Sequence, residues 1–433
     1  MRGVSLRHYG RMMWLLSPIL KILVYLRYLC GKEDRQRLSE RWGAGYQQLR
    51  PEGRLIWIHA VSVGEAVGAR LLAREIRQIN ADCYILITTN TVSSAQQLAS
   101  LACQDSHYFH AYQPLDVKSW VEKFLAYWQP DMAIFVESDF WPHLVCCARD
   151  SGVDVYFASS QLSASAFARW QNQPALAHAL FSAPKQIFCI DSHQKTQFEA
   201  LASGFGNAKY NSQISLSASL KLPPLQLEPD TSFTQQLTQA ASGRMIIIAS
   251  STHDGEEALI HTACKEMLHD NRAILVIAPR HPHRGTQIAS ALSHPPQRSK
   301  GASPSATESI YICDTLGELD SLYAVADVII LGASFVAKGG HNPLEASRAA
   351  APILTGPFDE KNKAEITALV ATGMLTRIAD VPALHAKLDA IYKRFSQNRP
   401  ALSQKTITSV NAVMQMRYRE AKKIASKMLQ SLT

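Results

Sequence analysis

Residues 328–345 of this 433-residue chain read VIILGASFVAKGGHNPLE. The segment opens with a short apolar run, which predicts a strand buried on both faces of a parallel sheet. A Gly-Gly pair then predicts a tight turn, and Asn342 followed by Pro343 predicts a helix start. Exposed N–H groups in such a turn favour a phosphate, and Glu345 is placed to accept hydrogen bonds from ribose hydroxyls. The order strand, turn, helix indicates a Rossmann-like nucleotide site, with plain helix capping as the alternative.

Similar apolar runs occur along the whole chain, separated by helix-length segments. They lie at 55–61, 84–89, 132–137, 153–158, 187–190, 245–249, 273–278, 310–313 and 352–354. This alternation predicts α/β architecture with parallel sheets, and the chain is too long for one hydrophobic core. Residues 32–221 and 244–402 are predicted as two Rossmann-like domains. Residues 222–243, which begin with a proline-rich stretch, are predicted as the linker, and 403–433 as a helix returning to the first domain.

The net charge of +8 is concentrated at one end of the chain. Residues 1–50 hold ten basic and three acidic side chains, so the remainder is close to neutral. A nucleic-acid-binding protein normally carries its basic surface on its folded domains. Basic residues beside an apolar terminal segment fit an anionic membrane surface instead, and nucleic acid is not expected as a partner.

That apolar segment, residues 12–29, reads MMWLLSPILKILVYLRYL. Pro18, Lys21 and Arg27 interrupt it, whereas a membrane span needs about 20 nearly uncharged residues. Polar and aromatic side chains recur along one side of the helix it would form, which is typical of a helix lying in the membrane interface. Residues 1–31 are therefore predicted to anchor the chain, either in the interface or as a single span. A terminal helix packed into the protein core is the alternative.

Two acidic residues follow predicted strands in the first half. Glu65 ends the motif HAVSVGE, and a carboxylate at a helix N-terminus is suited to accept a proton from an attacking hydroxyl. The alternative is a capping box with Ser62, in which the carboxylate bonds backbone N–H groups. Glu137, in VESDFWP, directly follows apolar residues, so it needs either a ligand or an internal cation.

Two motifs follow strands in the second half. SSTHDGEE (250–257) surrounds a helix start with hydroxyl residues that suit an anion or cap the helix. PRHPHR (279–284) places Arg280 where its guanidinium can bind a phosphate or carboxylate through two hydrogen bonds. His281 and His283 flank a proline without a nearby acidic partner, so they are interpreted as loop residues rather than metal ligands.

Six motifs occur in an order and spacing that resembles one family: HAVSVGE, FVESDFWP, SSTHDGEE, APRHPHR, DTLGEL and GGHNPLE. With the basic, apolar N-terminus they make the chain similar, over nearly its whole length, to the 3-deoxy-D-manno-octulosonic acid (Kdo) transferases of lipopolysaccharide synthesis. The resemblance implies a GT-B fold, with an acceptor domain (32–221) and a CMP-sugar donor domain (244–402) facing one another across a cleft.

The same resemblance implies an inverting glycosyltransferase with CMP-Kdo as donor and a lipid A precursor, lipid IVA, as acceptor. It further implies that the enzyme needs no metal or cofactor and sits on the cytoplasmic face of the inner membrane. The chain has no Asp-x-Asp motif of the kind that holds a divalent ion in many single-domain glycosyltransferases. Its eight cysteines form no CxxC pair and are interpreted as buried thiols of a reducing compartment.

Roles for individual residues follow from the resemblance. Glu65 matches the catalytic base, while Glu137 and Lys221 match residues that stabilise the transition state. The implied reaction is direct: Glu65 deprotonates an acceptor hydroxyl, its oxygen attacks the anomeric carbon of Kdo, and CMP leaves. The matched CMP-binding positions are Pro279, Arg280, Leu316, Gly317, Glu318, Asn342, Pro343, Leu344 and Glu345.

The chain departs from the family pattern mainly in its first half. Gln161 stands where the family usually has Arg, residues 217–221 read SASLK in place of a Gly-Asn-Leu-Lys run, and TTNTVSSA lacks the customary Pro-Thr-Gly. Donor motifs are therefore better preserved than acceptor motifs. Two alternatives stay open: another GT-B nucleotide-sugar transferase with a different acceptor, and a non-catalytic membrane-bound relative.

Overall fold

The computed structural model describes residues 4–61, 63–92, 94–96, 98, 105–203, 212–217, 219–220, 222–223, 225–398 and 402–430. The chain divides into two compact units. Unit 1 comprises Met1–Leu222 and Arg417–Thr433, and unit 2 comprises Pro223–Met416. Each unit is built on a parallel sheet, as the alternating apolar runs predict.

Over the described residues, unit 1 contains a seven-stranded sheet in the order β3-β2-β1-β4-β5-β6-β7. Its strands are β1 Leu55–His59, β2 Tyr84–Thr89, β3 Tyr108–Tyr112, β4 Met132–Val136, β5 Asp154–Ser160, β6 Gln186–Cys189 and β7 Gln213–Leu216. Its helices are α1 Leu6–Leu29, α2 Val63–Ile79, α3 Lys118–Trp128, α4 Pro142–Asp150, α5 Ala164–Gln171, α6 Pro174–Phe181 and α7 Ser192–Ser203, with a 3-10 helix at Arg35–Trp42. The core includes several aromatic side chains, among which Trp57, Phe135 and Phe157 pack edge to face in series.

Unit 2 contains a six-stranded sheet in the order β10-β9-β8-β11-β12-β13, again counted over the described part of the chain. Its strands are β8 Met245–Thr252, β9 Ala273–Pro279, β10 Ile310–Ile312, β11 Val328–Leu331, β12 Ile353–Thr355 and β13 Leu375–Arg377. Its helices are α8 Thr231–Ala241, α9 Glu256–His269, α10 Gly285–Ala291, α11 Leu319–Val325, α12 Lys363–Thr372 and α13 Val381–Phe395. The last helix, α14 Gln404–Leu429, belongs to unit 2 up to Met416 and to unit 1 from Arg417.

All ten predicted strands are present, with ends displaced by at most three residues. The three strands that the apolar runs do not reveal, β3, β7 and β13, are edge strands. Edge strands face solvent on one side, so they do not need a continuous apolar sequence. In β7, for example, both end residues are exposed.

The stretch 222–243 differs from the linker that the sequence predicts, because it contains helix α8. Asp230 caps this helix by accepting hydrogen bonds from the backbone N–H groups of Ser232 and Phe233. Phe233 and Leu237, four residues apart, are both buried on its inner face. Helix α8 is thus a folded part of unit 2.

The strand order of each sheet reverses at one position, which we call the switch point. In unit 1 the switch point lies between β1 and β4, and in unit 2 it lies between β8 and β11. The loops that leave these two strands diverge to opposite sides, which opens a crevice at the carboxyl edge of the sheet where ligands bind in doubly wound folds. The segments after β1, β4, β8 and β11 are among those that the sequence motifs single out.

Candidate active site

Glu65 lies in the first turn of α2, directly after β1 and beside the unit 1 switch point. Glu65 is buried, and its Oε2 atom accepts a 2.6 Å hydrogen bond from the backbone N–H of Val61. A carboxylate at a helix N-terminus is stabilised by the helix dipole. The bond to Val61 is of the kind that the capping alternative requires, and it also fixes the carboxylate at the carboxyl edge of the sheet.

Glu137 follows β4, on the other side of the same switch point. It is buried, and its backbone adopts a left-handed conformation with φ of 66°. Such a conformation is uncommon outside glycine and is concentrated at functional sites. Gln161, at the end of β5, donates a 3.1 Å hydrogen bond from Nε2 to the Glu137 carboxylate. A neutral amide therefore contacts this carboxylate at the position where the family resemblance leads us to expect an arginine.

A hydrogen-bond network that the sequence analysis did not anticipate links the strand ends around Glu137. His59, at the end of β1, contacts Asp139 through Nε2 at 3.1 Å and Thr88 through Nδ1 at 2.8 Å. Trp57 donates to the same Thr88 hydroxyl, and Trp141 donates to Asp139. The network ties β1, β2 and the turn after β4 together, so it holds the unit 1 switch point rigid.

In unit 2, Glu256 occupies a nest of backbone N–H groups at the switch point. The residue is fully buried, and its two carboxylate oxygens accept hydrogen bonds from the N–H groups of His253, Ala333, Ser334 and Phe335 at 2.7–2.9 Å. Such a nest would suit a phosphate. Here the protein's own carboxylate fills it, so Glu256 stabilises the turn after β11 and these amides do not face a ligand.

The Gly-Gly turn is likewise closed internally. The N–H of Gly340 donates to the carbonyl of Ala333 at 2.7 Å, rather than being exposed as predicted. Both glycines have a positive φ, and a Cβ added at Gly339 would lie 2.8 Å from Cγ of Lys361. These glycines are needed for the close packing of the turn itself.

The predicted helix after Pro343 is wrong. Asn342 does accept a hydrogen bond from the N–H of Leu344, but the chain then forms only a turn and a 3-10 helix, Ala346–Arg348. Seven residues separate Glu345 from the start of β12, and Pro352 is the last of them. This length is too short for an α-helix and a return to the sheet.

Arg280 and Glu345 lie near enough for an electrostatic interaction, although 64 residues separate them in sequence. Arg280 directly follows β9 and is exposed, and its guanidinium forms no hydrogen bond or ion pair within the described part of the chain. Desolvation by surrounding protein raises the pKa of Glu345, although the residue is exposed by its surface area. Arg348 and Arg280 oppose that rise by stabilising the carboxylate. An accessible cation and a carboxylate thus face the same space.

The loop after β10 carries the remaining predicted CMP positions. Leu316 is exposed over 82% of its surface, and Gly317 has a positive φ. Glu318 already forms a 2.9 Å ion pair with Arg298, whose guanidinium lies 3.7 Å from the ring centre of Phe233. Of this loop, Leu316 is the side chain most available to a ligand.

Two of the hydroxyl groups predicted to face an anion, at the end of β8, are bonded within the protein. Ser250 hydrogen bonds to the Tyr323 hydroxyl at 2.6 Å, and Thr252 donates to Glu257. Glu257 in turn forms an ion pair with Arg284 at 2.8 Å. These contacts fix the turn after β8. His253, in this turn, lies near Arg280.

Two residues of the sequence analysis, Lys221 and Ser62, lie outside the described residues. Pro279 ends β9, and Pro343 and Leu344 are buried, so these three residues shape the loops. The contact that sequence reasoning missed is between His253 and His341, which lie in two of the quoted motifs. No spacing rule pairs two residues so far apart.

Comparison with known proteins gives the family. A model described as 3-deoxy-D-manno-octulosonic-acid transferase matches residues 36–213. A probable mitochondrial 3-deoxy-D-manno-octulosonic acid transferase from Arabidopsis thaliana is 31% identical over 369 residues, covering 81% of this chain and 79% of that protein. The chain belongs to the 3-deoxy-D-manno-octulosonic acid transferase family. The family member from Bordetella pertussis is 30% identical, with 84% of this chain and 86% of that protein covered.

Solved structures extend the comparison to the fold. UDP-GlcNAc 2-epimerase from Neisseria meningitidis matches with a TM-score of 0.57 at 13% identity, over 88% of this chain and 100% of that one. A glycosyltransferase from Rickettsia africae matches with a TM-score of 0.56 at 11% identity, over 88% and 99%. At such identities the likeness shows the fold alone, which is of the GT-B type. As a member of the 3-deoxy-D-manno-octulosonic acid transferase family, the chain is a glycosyltransferase.

Proposed function

We propose that the chain transfers Kdo from CMP-Kdo to a lipid A precursor, lipid IVA, with inversion at the anomeric carbon. Family membership supports the donor sugar, and the proximity of the Arg280 guanidinium, which is unpaired within the described part of the chain, to Glu345 carries the nucleotide half of the proposal. A nucleoside monophosphate needs a cation for its phosphate and an acceptor for its ribose hydroxyls. Those two groups lie together after β9 and β11.

In the proposed reaction Glu65 takes the proton of an acceptor hydroxyl. The oxygen forms a bond to the anomeric carbon of Kdo, and the bond from that carbon to the CMP phosphate oxygen breaks on the opposite side. CMP leaves with the bonding electron pair, and Arg280 compensates the charge that develops on its phosphate. Glu137 and Lys221 are proposed to stabilise the transition state.

The proposal is tested by incubating the purified chain with CMP-Kdo and a tetraacylated lipid A precursor. We expect the lipid mass to increase by one or more Kdo residues while CMP is released in equal number. Release of CMP without a change in the lipid would point to a different acceptor. If neither product forms, although the protein is folded by circular dichroism, the chain is a non-catalytic relative.

Replacing Arg280 with Ala is expected to weaken CMP binding about 10- to 100-fold, because a charge-assisted hydrogen bond contributes about 1.5–3 kcal/mol. Titration calorimetry with CMP measures the change. Arg272→Ala, at the opposite end of β9, is the matched control and should leave the affinity unaltered. Equal CMP affinity in wild type and Arg280→Ala would remove Arg280 from the nucleotide site.

Helix α1 is proposed to hold the enzyme in the membrane interface. It is long and apolar enough to cross a bilayer by length and composition. However, side chains near both ends of α1 bond to other residues of unit 1. Near its start, the Tyr9 hydroxyl donates a 2.8 Å hydrogen bond to buried Asp116, and near its end Arg27 pairs with Glu33. A helix attached in this way lies along the protein surface, which favours the interface over a span.

The exposed side of α1 is strongly apolar. Its exposed side chains include Met12, Trp14, Leu15, Leu16, Ile19, Ile22, Leu23, Leu26 and Leu29. An exposed patch of this kind on a soluble surface is unfavourable, whereas lipid acyl chains would cover it. The patch therefore supports a membrane location, which we propose to be the cytoplasmic face of the inner membrane.

A groove of about 320 Å³ in unit 1 connects α1 with the carboxyl edge of the sheet. One wall consists of apolar side chains of α1 together with Arg27, and the other contains residues that follow β2, β3 and β4, among them Asn90, Gln113 and Trp141. An acceptor with acyl chains and a sugar headgroup has the same division into apolar and polar parts. The groove supports a lipid acceptor rather than a free sugar.

Replacing Leu15 and Ile22 together with Glu is expected to lower vesicle binding about 100-fold. These side chains are 68% and 59% exposed, and each contributes about 1.5–3 kcal/mol when fully buried in an apolar environment. Co-sedimentation with vesicles containing anionic lipid measures the effect. Leu259→Glu with Val370→Glu, two exposed apolar residues of unit 2, is the control and should bind like wild type. Equal binding by the α1 variant would assign the anchor to another surface.

A further inference from the structure

Three histidines from three different loops meet at the unit 2 switch point. His253 follows β8, His281 follows β9, and His341 lies in the segment after β11. The rings of His253 and His341 are stacked at 5.2 Å with a 22° angle between their planes, and their Nε2 atoms are 3.2 Å apart. The ring of His281 approaches His253 edge-on at 5.8 Å. Among the described residues, no group of three metal-ligating side chains is arranged to hold a metal ion, so the cluster needs another explanation.

The hydrogen bonds of the pair define its protonation state. The backbone of Ser251 raises the pKa of His341, which is the effect of a carbonyl oxygen that accepts a hydrogen bond from the imidazole. Since its Nε2 atom contacts His253, the donating nitrogen is Nδ1, and a neutral His341 then offers a lone pair at Nε2. His253 must therefore carry its proton on Nε2. Its remaining nitrogen, Nδ1, has no hydrogen-bond partner among the described residues.

This chain of hydrogen bonds has room for one additional proton. If Nδ1 of His253 is protonated, its Nε2–H still donates to His341, and the contact to Ser251 is unchanged. A second proton would place hydrogens on both Nε2 atoms, which are 3.2 Å apart, and would break the contact. The histidine pair can therefore accept a single additional proton, on Nδ1 of His253.

The charges around the pair come from every neighbouring segment and are mainly positive. Burial lowers the pKa of His253, with His281, Lys338 and Arg280 contributing in the same direction and Glu256 opposing them. Burial also lowers the pKa of His341 to about 4, aided by His253, Arg280 and Lys361. At neutral pH the free pair is uncharged, and apart from Glu256 the charged groups that act on it are cations or histidines.

We propose that His253 and His341 act together with Arg280 as an anion subsite that takes up one proton when the phosphate of a cytidine nucleotide binds. The inference rests on the proposed function, because it assigns the pair to the nucleotide side of the same reaction. The proton comes from solvent and goes to Nδ1 of His253. The bound phosphate reverses the electrostatic bias of the surrounding cations, which makes the imidazolium the favoured form.

The pair would favour the product side of the transfer. In CMP-Kdo the phosphate is a diester with one negative charge, whereas released CMP carries a second ionisation with a pKa near 6. Charge therefore grows on the phosphate as the bond to the sugar breaks. A protonated His253 stabilises this charge more than it stabilises the donor, and only such differential stabilisation accelerates the chemical step.

Titration calorimetry of the full chain with CMP in two buffers of different ionisation enthalpy tests the inference. Wild type is expected to take up close to one proton at a pH between the pKa values of His253 in the free and bound states. Affinity should rise as the pH falls through the bound-state pKa and level off below the free-state pKa, by about tenfold for each unit between them. His253→Gln keeps a donor toward His341 but cannot take the proton, so it should lose this uptake and the associated pH dependence. His341→Gln, which alters the partner of the accepting residue, should reduce the uptake.

His269→Gln, at the exposed C-terminal end of α9, is the control and should behave like wild type. The ionisation of free CMP is the same for all proteins, so the difference in proton uptake between wild type and His253→Gln reports the contribution of the histidine pair and its effect on the bound phosphate. Equal proton uptake in these two proteins, with CMP still bound, would overturn the inference and leave the proposed function standing. Failure of folded wild type to bind CMP at all would overturn both.

Discussion

Replacing Glu65 with Gln is expected to lower the rate of Kdo transfer about 100- to 10,000-fold, the usual contribution of a general base. The amide has the shape of the carboxylate but cannot accept a proton from the acceptor hydroxyl. Its oxygen can still accept the hydrogen bond from Val61, so the start of α2 should remain folded. CMP affinity should change little, because the nucleotide is assigned to unit 2. Transfer rates at saturating donor, with calorimetric CMP binding, measure both expectations.

Glu75→Gln is the matched control for this experiment. Glu75 lies on the same helix, α2, and is similarly buried, but it contacts Arg74 rather than the strand edge. Its substitution should leave the transfer rate within a few-fold of wild type, and melting curves of both variants separate loss of fold from loss of chemistry. A near-normal rate for Glu65→Gln would limit Glu65 to the capping role that its bond to Val61 also satisfies.

Replacing Glu256 with Gln is expected to destabilise unit 2 by about 3–5 kcal/mol. The amide nitrogen would take the place of one carboxylate oxygen and would face two backbone N–H groups that then have no acceptor. Leaving a buried donor unsatisfied costs about 1–3 kcal/mol, and the two remaining hydrogen bonds lose their charge. The lost hydrogen bonds hold the turn after β11. This turn precedes His341 and Glu345, so CMP binding should weaken as well.

Urea unfolding of the full chain measures this loss of stability, with Glu266→Gln as the control. Glu266 lies on the same helix, α9, but 73% of its side chain is exposed, so its substitution should change the free energy of unfolding by less than about 0.5 kcal/mol. An unchanged unfolding midpoint for Glu256→Gln would mean that the nest does not need a charge. In that case the backbone N–H groups around Glu256 would be available to bind the phosphate of a ligand.

The sequence predicts the interior of this fold better than its edges. Central strands such as β1 and β11 are buried on both faces, so their continuous apolar residues identify them directly. Edge strands such as β7 alternate or mix polar residues and escape the same criterion. Helix α8 was missed because prolines dominate the residues before it, whereas its cap at Asp230 is a local signal that sequence reasoning had available.

The candidate site shows the same division for individual residues. The motifs place Glu65, Glu137 and Arg280 correctly after strands. Within each parallel sheet, residues that follow strands lie at the carboxyl edge by topology alone. The motifs do not show which polar groups bond to other parts of the protein rather than to a ligand. The glycine-rich segment resembles a phosphate-binding turn, yet its amides near Ala333 bind the carboxylate of Glu256.

The sequence by itself determined the α/β class, the central strands, the family motifs and the apolar terminal segment, because each depends on residues close together in the chain. Only the tertiary structure decided that Glu256 occupies the amide nest, that His253 reaches His341, and that α1 lies attached along unit 1. Those facts depend on contacts between residues tens of positions apart. Folding selects such contacts through three-dimensional packing, which no local pattern encodes.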